Sequence, residues 1–138
     1  MPKNRGKSLE KTINTVFKKY RELGVPAYRV HEPPHYSEKS PFDYWIFYKG
    51  RFIAFDAKEC HSDTINIKSN LKLHQIDAMN AVKNNGGEGF FLVYFFKEKK
   101  LVKFGVEKVL DYISEGKKSL ESEDGEKTSI DIIGIFDK

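Results

Sequence analysis

The sequence has few of the features that mark a secreted or membrane-bound protein. Cys60 is its single cysteine, which excludes an internal disulfide and reads as a small buried hydrophobe. The first eight residues are basic and lack the apolar stretch of a signal peptide. The longest apolar run, Phe90–Phe96, has the length of a buried strand, well below the roughly 20 residues of a membrane span. These absences predict a protein of the reducing cytoplasm with no membrane partner.

Two common functional motifs are missing as well. The sequence has no pair of cysteines at metal-ligand spacing, and Pro33 and Pro34 keep His31 and His35 from sharing a helical face. The glycine-rich segment 86–89 follows a predicted helix, whereas a phosphate-binding loop precedes one. The sequence therefore argues against a zinc site and against nucleotide hydrolysis.

The composition is that of one globular domain. Hydrophobic residues make up 39% of the 138 residues and aromatic residues 14%, enough for a core, so the 32% of charged residues reads as a solvated surface. We expect a single domain over residues 1–138, with residues 1–7 forming a flexible basic arm.

Basic charge is concentrated at the N-terminus. The first 31 residues hold eight basic and two acidic side chains, a surplus of six, while the whole chain carries +4. Such a basic arm and helix are typical of a protein that binds a phosphate backbone, although solubility explains a surplus of this size equally well. The candidate DNA contacts are Lys3, Arg5, Lys7 and Lys11.

Apolar spacing predicts one helix near the N-terminus. Apolar residues recur at helical spacing from Leu9 to Leu23, Ser8 precedes them as the expected N-cap, and Gly24 ends the pattern. An extended segment, Ala27–Val30, follows it. Residues 32–41 contain three prolines and are predicted to form a loop.

The rest of the chain alternates between predicted strands and helices. Lys49 and Gly50 read as a tight turn joining two strands into a hairpin whose strands carry apolar residues on both faces, as in a sheet covered by helices on each side. The acidic residues 121–126 and the polar residues 62–70 are expected to be connections. The predicted strands are Phe42–Tyr48, Arg51–Cys60, Gly89–Phe96, Leu101–Phe104 and Ile130–Phe136, and the predicted helices are Leu71–Asn84 and the segment from Val106 to Ile113.

Two aspartates and a lysine in the hairpin are the candidate site. Strand alternation puts Asp56 and Lys58 on one face, and a two-residue turn sets Asp43 directly opposite Asp56. Like charges in that position repel, and a divalent cation or Lys58 would compensate. An odd-length loop would instead separate the aspartates, leaving ordinary strand-end carboxylates.

The same residues carry a family resemblance. The run Ser40–Asp43 followed by Asp56–Lys58 is similar to the bipartite motif of the PD-(D/E)xK nuclease superfamily. Over roughly residues 5–96 the chain resembles the RecU-type Holliday junction resolvases. The matching pieces are Leu9-Glu10, Asp43-Tyr44, Tyr48-Lys49-Gly50, Phe55 to Glu59 and His74-Gln75.

This resemblance implies an α/β restriction-endonuclease-like core, a central mixed sheet flanked by helices. It implies a metal-dependent endodeoxyribonuclease, bacterial or phage-encoded, in which Asp43, Asp56 and Gln75 hold Mg²⁺ or a substituting Mn²⁺. Lys58 would stabilise the transition state or position the attacking water. Glu10 would be either an accessory carboxylate or a favourable acid in the first helical turn.

The implied substrate is a four-way DNA junction. Resolving a four-way junction requires two nicks related by two-fold symmetry, which predicts a homodimer. The aromatic strands contain enough large apolar residues for some of them to lie at an interface. Three departures from the family weaken this expectation: Asp56 replaces the usual Glu, Pro41 replaces a hydroxyl residue, and a long stalk is absent. A nuclease for duplex or flapped DNA and a non-catalytic DNA-binding module remain the alternatives.

Overall fold

A six-stranded mixed sheet with helices on both faces is the centre of the computed structural model, which describes residues 5–30 and 40–136, with side chains from Ser8 onward. The helices are α1 (Arg5–Glu22), α2 (Ile67–Asn70), α3 (Leu73–Asn84) and α4 (Val106–Ser114). The strands are β1 (Ala27–Arg29), β2 (Tyr44–Tyr48), β3 (Arg51–Cys60), β4 (Thr64–Asn66), β5 (Glu88–Phe95), β6 (Lys100–Gly105), β7 (Ser119–Glu121) and β8 (Glu126–Lys127). This architecture confirms the predicted fold class.

The strand order in the main sheet is β1-β2-β3-β5-β6-β8. The pair β3 and β5 is parallel, and every other pair in that sheet is antiparallel. Strands β4 and β7 form a separate antiparallel pair. A parallel pair needs a crossover, and α2 and α3 lie in the connection that carries the chain from β3 to β5.

Apolar side chains fill both faces of the sheet, as the two-sided pattern of the strands predicts. On one face α1 contributes Phe17 and Tyr20, which pack with Phe55 of β3 in one buried cluster. On the other face Met79 of α3 and Phe91 of β5 belong to a second buried cluster. The central strands are therefore covered on each side, which explains why they read as nearly continuous apolar runs.

A two-residue turn joins β2 to β3. Lys49 and Gly50 have positive φ angles of 51° and 80°, as the tight hairpin turns of twisted strands require. The register runs from the pair Tyr48 and Arg51 to the pair Tyr44 and Phe55. The predicted hairpin and its register are confirmed.

Helix α3 lies close against β5, and Gly89 permits this approach. A Cβ atom at Gly89 would meet the Cβ atom and the carbonyl oxygen of Met79 at 2.7 Å each. This is closer than side chains tolerate, so a glycine is required. This close contact sets the distance between α3 and the sheet. The side chains on the sheet-facing side of α3 are positioned accordingly.

Three predicted boundaries are wrong. Helix α1 begins at Arg5, so Ser8 is not its N-cap, and the backbone of residues 5–7 is helical where an arm was expected. Residues 1–4 and 31–39, which include most of the predicted loop, lie outside the described residues. The polar segment 62–70 contains β4 and α2, whose N-cap Asn66 accepts the backbone N–H of Ser69. The acidic segment 121–126 includes a short 3₁₀ turn and the start of β8.

The predicted strand Ile130–Phe136 is also wrong, because this segment forms turns. Its isoleucines pack against the α1 side of the core without pairing to the sheet. Asp131 organises it: its carboxylate accepts the hydroxyl of buried Tyr20 at 2.7 Å and the backbone N–H groups of Ile135 and Phe136. A carboxylate that closes its own segment in this way prevents the extended backbone a strand needs.

Candidate metal centre

The hairpin brings the two predicted aspartates together. Because Tyr44 pairs with Phe55, the next residues outward, Asp43 and Asp56, face each other across β2 and β3. Their side chains point away from the α1 face, on the side of the sheet where α3 packs. Lys58, two residues beyond Asp56, points to this same side. The local rule of strand alternation and the two-residue turn together are enough to build this constellation.

Asp43 has a raised pKa in the folded protein. Burial and the neighbouring carboxyl group of Asp56 raise the pKa of Asp43 to about 7, while the charges of Lys58 and Arg29 partly oppose the rise. Asp56 is fully buried.

Lys58 gives Asp56 an electrostatic partner but not a hydrogen bond. The ammonium Nζ of Lys58 lies 3.0 Å from Oδ2 of Asp56. Neither carboxylate oxygen of Asp56 receives a hydrogen bond of acceptable geometry. A buried carboxylate without a donor on either oxygen is costly, so this arrangement calls for a further positive group.

Gln75 adds a third buried oxygen from α3. Its side chain is 4% exposed, and its Oε1 has no hydrogen-bond partner. Asp56 pairs with Phe91 of β5 in the sheet register, and Phe91 packs in the same buried cluster as Met79 of α3. Helix α3 therefore covers the face of the sheet that carries the aspartates. Carboxylate and amide oxygens are the ligands that Mg²⁺ takes in proteins. The orphaned oxygens of Asp56 and Gln75 therefore fit a divalent cation.

Among the residues described, no cluster of three or more His, Cys, Asp or Glu side chains has metal-binding spacing. A cation held by Asp43, Asp56 and Gln75 would have two carboxylates and an amide as its protein ligands, which leaves positions for water. Mg²⁺ normally keeps several waters, so the small number of protein ligands suits this ion.

Glu10 of α1 reaches the same site. A pocket of about 220 Å³ is lined by Glu10 and Arg29 together with Asp43 and Lys58. Glu10 forms an ion pair with Arg29, which is at the end of β1. Since α1 begins at Arg5, Glu10 lies beyond the first turn, and its interpretation as a first-turn acid is wrong. Its proximity to Asp43 is compatible with the accessory role.

The four candidate DNA contacts are only partly visible. Lys11 is exposed on α1. The side chains of Arg5 and Lys7 and all of Lys3 lie outside the described residues.

Cys60 is buried and its thiol donates to the carbonyl oxygens of Ser62 and Thr64, in agreement with its interpretation as an interior side chain. No helix in the described ranges has the length and apolar character needed to cross a bilayer.

Sequence reasoning missed two residues of this site, Arg29 and Glu59. Arg29 neutralises Glu10, and Glu59 lines the pocket and accepts the backbone N–H of Leu9 at 3.0 Å. The signal available for Glu59 was a carboxylate directly after Lys58 in an aromatic strand. Its partner is 50 residues away, so spacing within the hairpin gives no hint of the contact.

Solved structures define the class of protein to which this fold belongs. The Holliday junction resolvase Hjc of Archaeoglobus fulgidus matches with a TM-score of 0.55 at 13% identity, over 86% of this chain and 94% of Hjc. D212, a nuclease from a fusselovirus, matches with a TM-score of 0.53 at 13% identity, over 94% and 89% of the two chains. The fold is the restriction-endonuclease-like fold of these nucleases.

The family model of RecU, recombination protein U, matches residues 4–136, and the chain belongs to the RecU family. Among curated relatives, the Holliday junction resolvase RecU of Bacillus subtilis is 30% identical over 154 positions, which cover 94% of this chain and 73% of the relative. The protein of the same name from Streptococcus uberis is 29% identical over 157 positions, covering 96% and 77%. That of Mycoplasmopsis pulmonis is 30% identical, covering 94% and 85%.

Proposed function

We propose that this protein is a metal-dependent endodeoxyribonuclease that cleaves four-way DNA junctions by phosphodiester hydrolysis, as a single domain over residues 1–138. The observation that carries the proposal is the opposed pair Asp43 and Asp56, in which Asp56 is fully buried, has no hydrogen-bond donor on either carboxylate oxygen and lies beside Lys58. The names of the RecU relatives supply the substrate.

The metal ligands in this proposal are Asp43, Asp56 and Gln75, and the ion is Mg²⁺, with Mn²⁺ able to substitute. The support is chemical: carboxylate and amide oxygens are the ligands that Mg²⁺ prefers, and Asp56 and Gln75 bury side-chain oxygens that have no hydrogen-bond partner. A bound divalent cation would polarise the phosphate and lower the pKa of a bound water.

Lys58 acts on the developing charge of the phosphate. Its side chain is 24% exposed, so the ammonium sits between the buried Asp56 and the solvent side where DNA would lie. A positive group held there without reorganisation stabilises the extra negative charge of the transition state. Glu10, held by Arg29 at the rim of the same pocket, is the accessory carboxylate that orients water or the outer metal ligands.

The basic N-terminus supplies contacts to the DNA backbone. Lys3, Arg5, Lys7 and Lys11 precede or lie on α1, the helix that also carries Glu10. Each phosphate neutralised adds roughly 0.9 to the log–log slope of binding against salt on duplex DNA. These four cations therefore give affinity and register, and leave selectivity to the shape of the substrate.

The active form in this proposal is a symmetric homodimer. One domain offers one metal site, and a four-way junction needs two nicks related by two-fold symmetry. Two aromatic side chains of β1 and β2 support an interface, since Tyr28 and Phe47 are each 46% exposed. Trp45 and Phe52 link them into one aromatic surface through ring contacts and strand pairing.

A nuclease for duplex or flapped DNA is the second candidate. The alignment with the S. uberis relative spans 157 positions, more than the 138 residues of this chain, so that relative has residues with no counterpart here. If those residues recognise the junction centre, this chain would keep the chemistry and lose selectivity.

The test is a panel of labelled DNA substrates of equal length: a four-way junction, a duplex and a flap, each incubated with Mg²⁺ or with EDTA. The proposal expects Mg²⁺-dependent paired nicks in the junction and slower cleavage of the other two. Equal cleavage of all three favours the second candidate. Binding to the junction with no cleavage in Mg²⁺ or Mn²⁺ would identify a non-catalytic DNA-binding module and overturn the proposal.

A further inference from the structure

We infer that Glu59 is a positioning residue that ties α1 to β3 and thereby holds Glu10 in the pocket with Asp43 and Lys58. The inference rests on the proposed nuclease function, because it concerns the geometry of that same site. It assigns a role to a buried carboxylate that the metal centre does not use.

The tie is a hydrogen bond between distant parts of the chain. The backbone N–H of Leu9 donates to Oε2 of Glu59 at 3.0 Å, across 50 residues of sequence. Leu9 directly precedes Glu10 on α1, and Glu59 directly follows Lys58 on β3. This contact therefore joins the two elements that carry Glu10 and Lys58, in addition to the apolar cluster that they share.

Glu59 contacts α1 just beyond the first turn of that helix. Helix N-termini carry partial positive charge and are stabilised by carboxylates. The first turn of α1 has no acidic residue, and the sequence places Arg5 and Lys7 there. Glu59 lies about one turn further along the helix, so its contribution is the hydrogen bond to Leu9 rather than a charge in the first turn.

The burial of Glu59 indicates a specific role. The side chain is 6% exposed, and its Oε1 has no hydrogen-bond partner, the imidazole Nε2 of His61 being 4.0 Å away. A carboxylate buried in this way costs free energy that a glutamine or an apolar residue would avoid. The hydrogen bond with α1 is the interaction that offsets this free energy of burial.

Strand alternation separates Glu59 from the metal ligands. Asp56 and Lys58 point to the α3 side of β3, whereas Glu59 points to the α1 side, where its Oε2 is already used by Leu9. Glu59 therefore acts through Glu10 rather than on the substrate. A displacement of Glu10 by about 1 Å is enough to slow a reaction that depends on it by a large factor.

Two substitutions and a control separate this role from general stability. Glu59→Ala removes the acceptor, and Glu59→Gln keeps an oxygen that accepts from Leu9. Glu107→Ala removes an exposed carboxylate in the first turn of α4, away from the pocket. Steady-state cleavage of junctions gives kcat and KM, and amide hydrogen exchange reports the Leu9 N–H directly.

We expect Glu59→Ala to lower kcat by about tenfold with KM nearly unchanged and to speed exchange at Leu9, since a misplaced Glu10 affects the chemical step. Glu59→Gln should restore most of kcat and of the protection, and Glu107→Ala should match the unmodified protein. In a Glu10→Ala background, Glu59→Ala should lower kcat no further.

Three results would overturn the inference: unchanged kcat in Glu59→Ala, a full additional loss in the Glu10→Ala background, or no rescue by Glu59→Gln. Unchanged exchange at Leu9 would overturn it too, and this readout does not require cleavage. If the unmodified protein cleaves no DNA, the proposed function fails, while the exchange data still decide whether Glu59 ties α1 to β3.

Discussion

At the scale of single residues, the raised pKa of Asp43 gives the metal-free protein a pH dependence of its own. Burial and the neighbouring Asp56 bring the pKa of Asp43 to about 7 in the folded protein, against about 3.9 in an unfolded chain. The folded state therefore binds a proton that the unfolded state releases between these values. The stabilising contribution is complete below about pH 4 and is lost as the pH rises through 7.

We predict that Asp43→Asn flattens this pH dependence. In EDTA, the free energy of unfolding of the unmodified protein should fall relative to that of Asp43→Asn between pH 5 and pH 8. The difference should be on the order of 1 kcal/mol, because Asp43 is partly exposed and solvent screens the repulsion. Asp77→Asn, which changes an exposed aspartate of α3, is the control. Parallel pH curves for the unmodified protein and Asp43→Asn would show that folding does not raise the pKa of Asp43.

The role proposed for Lys58 can be separated from metal binding by experiment. We predict that Lys58→Ala lowers the turnover number at saturating Mg²⁺ by roughly 10² to 10³, since the lost charge acts in the transition state. The affinity for Mn²⁺, measured by calorimetry without DNA, should change little. Loss of Mn²⁺ binding with the same loss of turnover would mean that Lys58 is needed to build the metal site.

The sequence was sufficient for residues whose geometry is local. Alternation along β3 and the tight turn at Lys49 and Gly50 place Asp43, Asp56 and Lys58 on one face, and the structure has them there. Arg29 and Glu59 were not predictable, because each acts on α1 across a long stretch of sequence. The charged side chains that meet in a pocket depend on how the helices pack against the sheet. The spacing of residues in the sequence does not specify that packing.

At the scale of elements, those set by local sequence were again predictable and those set by long-range contacts were not. The hairpin and the helix between Leu71 and Asn84 were predicted within about two residues, because turn chemistry and helical periodicity are strong local signals. The segment Ile130–Phe136 was not, since its apolar residues read as a strand. Its turns depend on the hydrogen bond between Asp131 and Tyr20, which lie 111 residues apart.

Asp131 should contribute to stability through this segment. Burial opposes its ionisation, but hydrogen bonds from Phe136, Tyr20 and Ile135 outweigh it and lower the pKa of Asp131. We predict that Asp131→Ala destabilises the protein by about 1–3 kcal/mol, because it leaves the buried hydroxyl of Tyr20 without its acceptor. Urea denaturation measures this change.

Asp111→Ala, which changes an exposed aspartate of α4, is the control and should stay within about 0.5 kcal/mol of the unmodified protein. An equally small effect of Asp131→Ala would show that the turns of residues 130–136 hold without this carboxylate. Since the pKa of Asp131 is lowered by folding, its contribution should also fade as the pH drops through that lowered value.

At the scale of the whole molecule, the prediction is coordinated cleavage by a dimer. We expect a plasmid with an extruded cruciform to be converted directly to linear DNA, because two metal sites nick opposed strands within one encounter. Sedimentation at the working concentration should show a dimer. Accumulation of nicked circles by a sedimenting monomer would contradict the prediction and favour the nuclease for duplex or flapped DNA.

The measurement that tests the metal centre most directly compares junction binding and junction cleavage in Asp43→Asn and Asp56→Asn. Each substitution removes a metal-ligand charge and leaves the backbone contacts of the basic N-terminus in place. We therefore predict that both variants bind a four-way junction nearly as tightly as the unmodified protein and produce no cleavage in Mg²⁺. Cleavage at the unmodified rate by either variant would contradict the assignment of the Asp43 and Asp56 pair as the catalytic metal site.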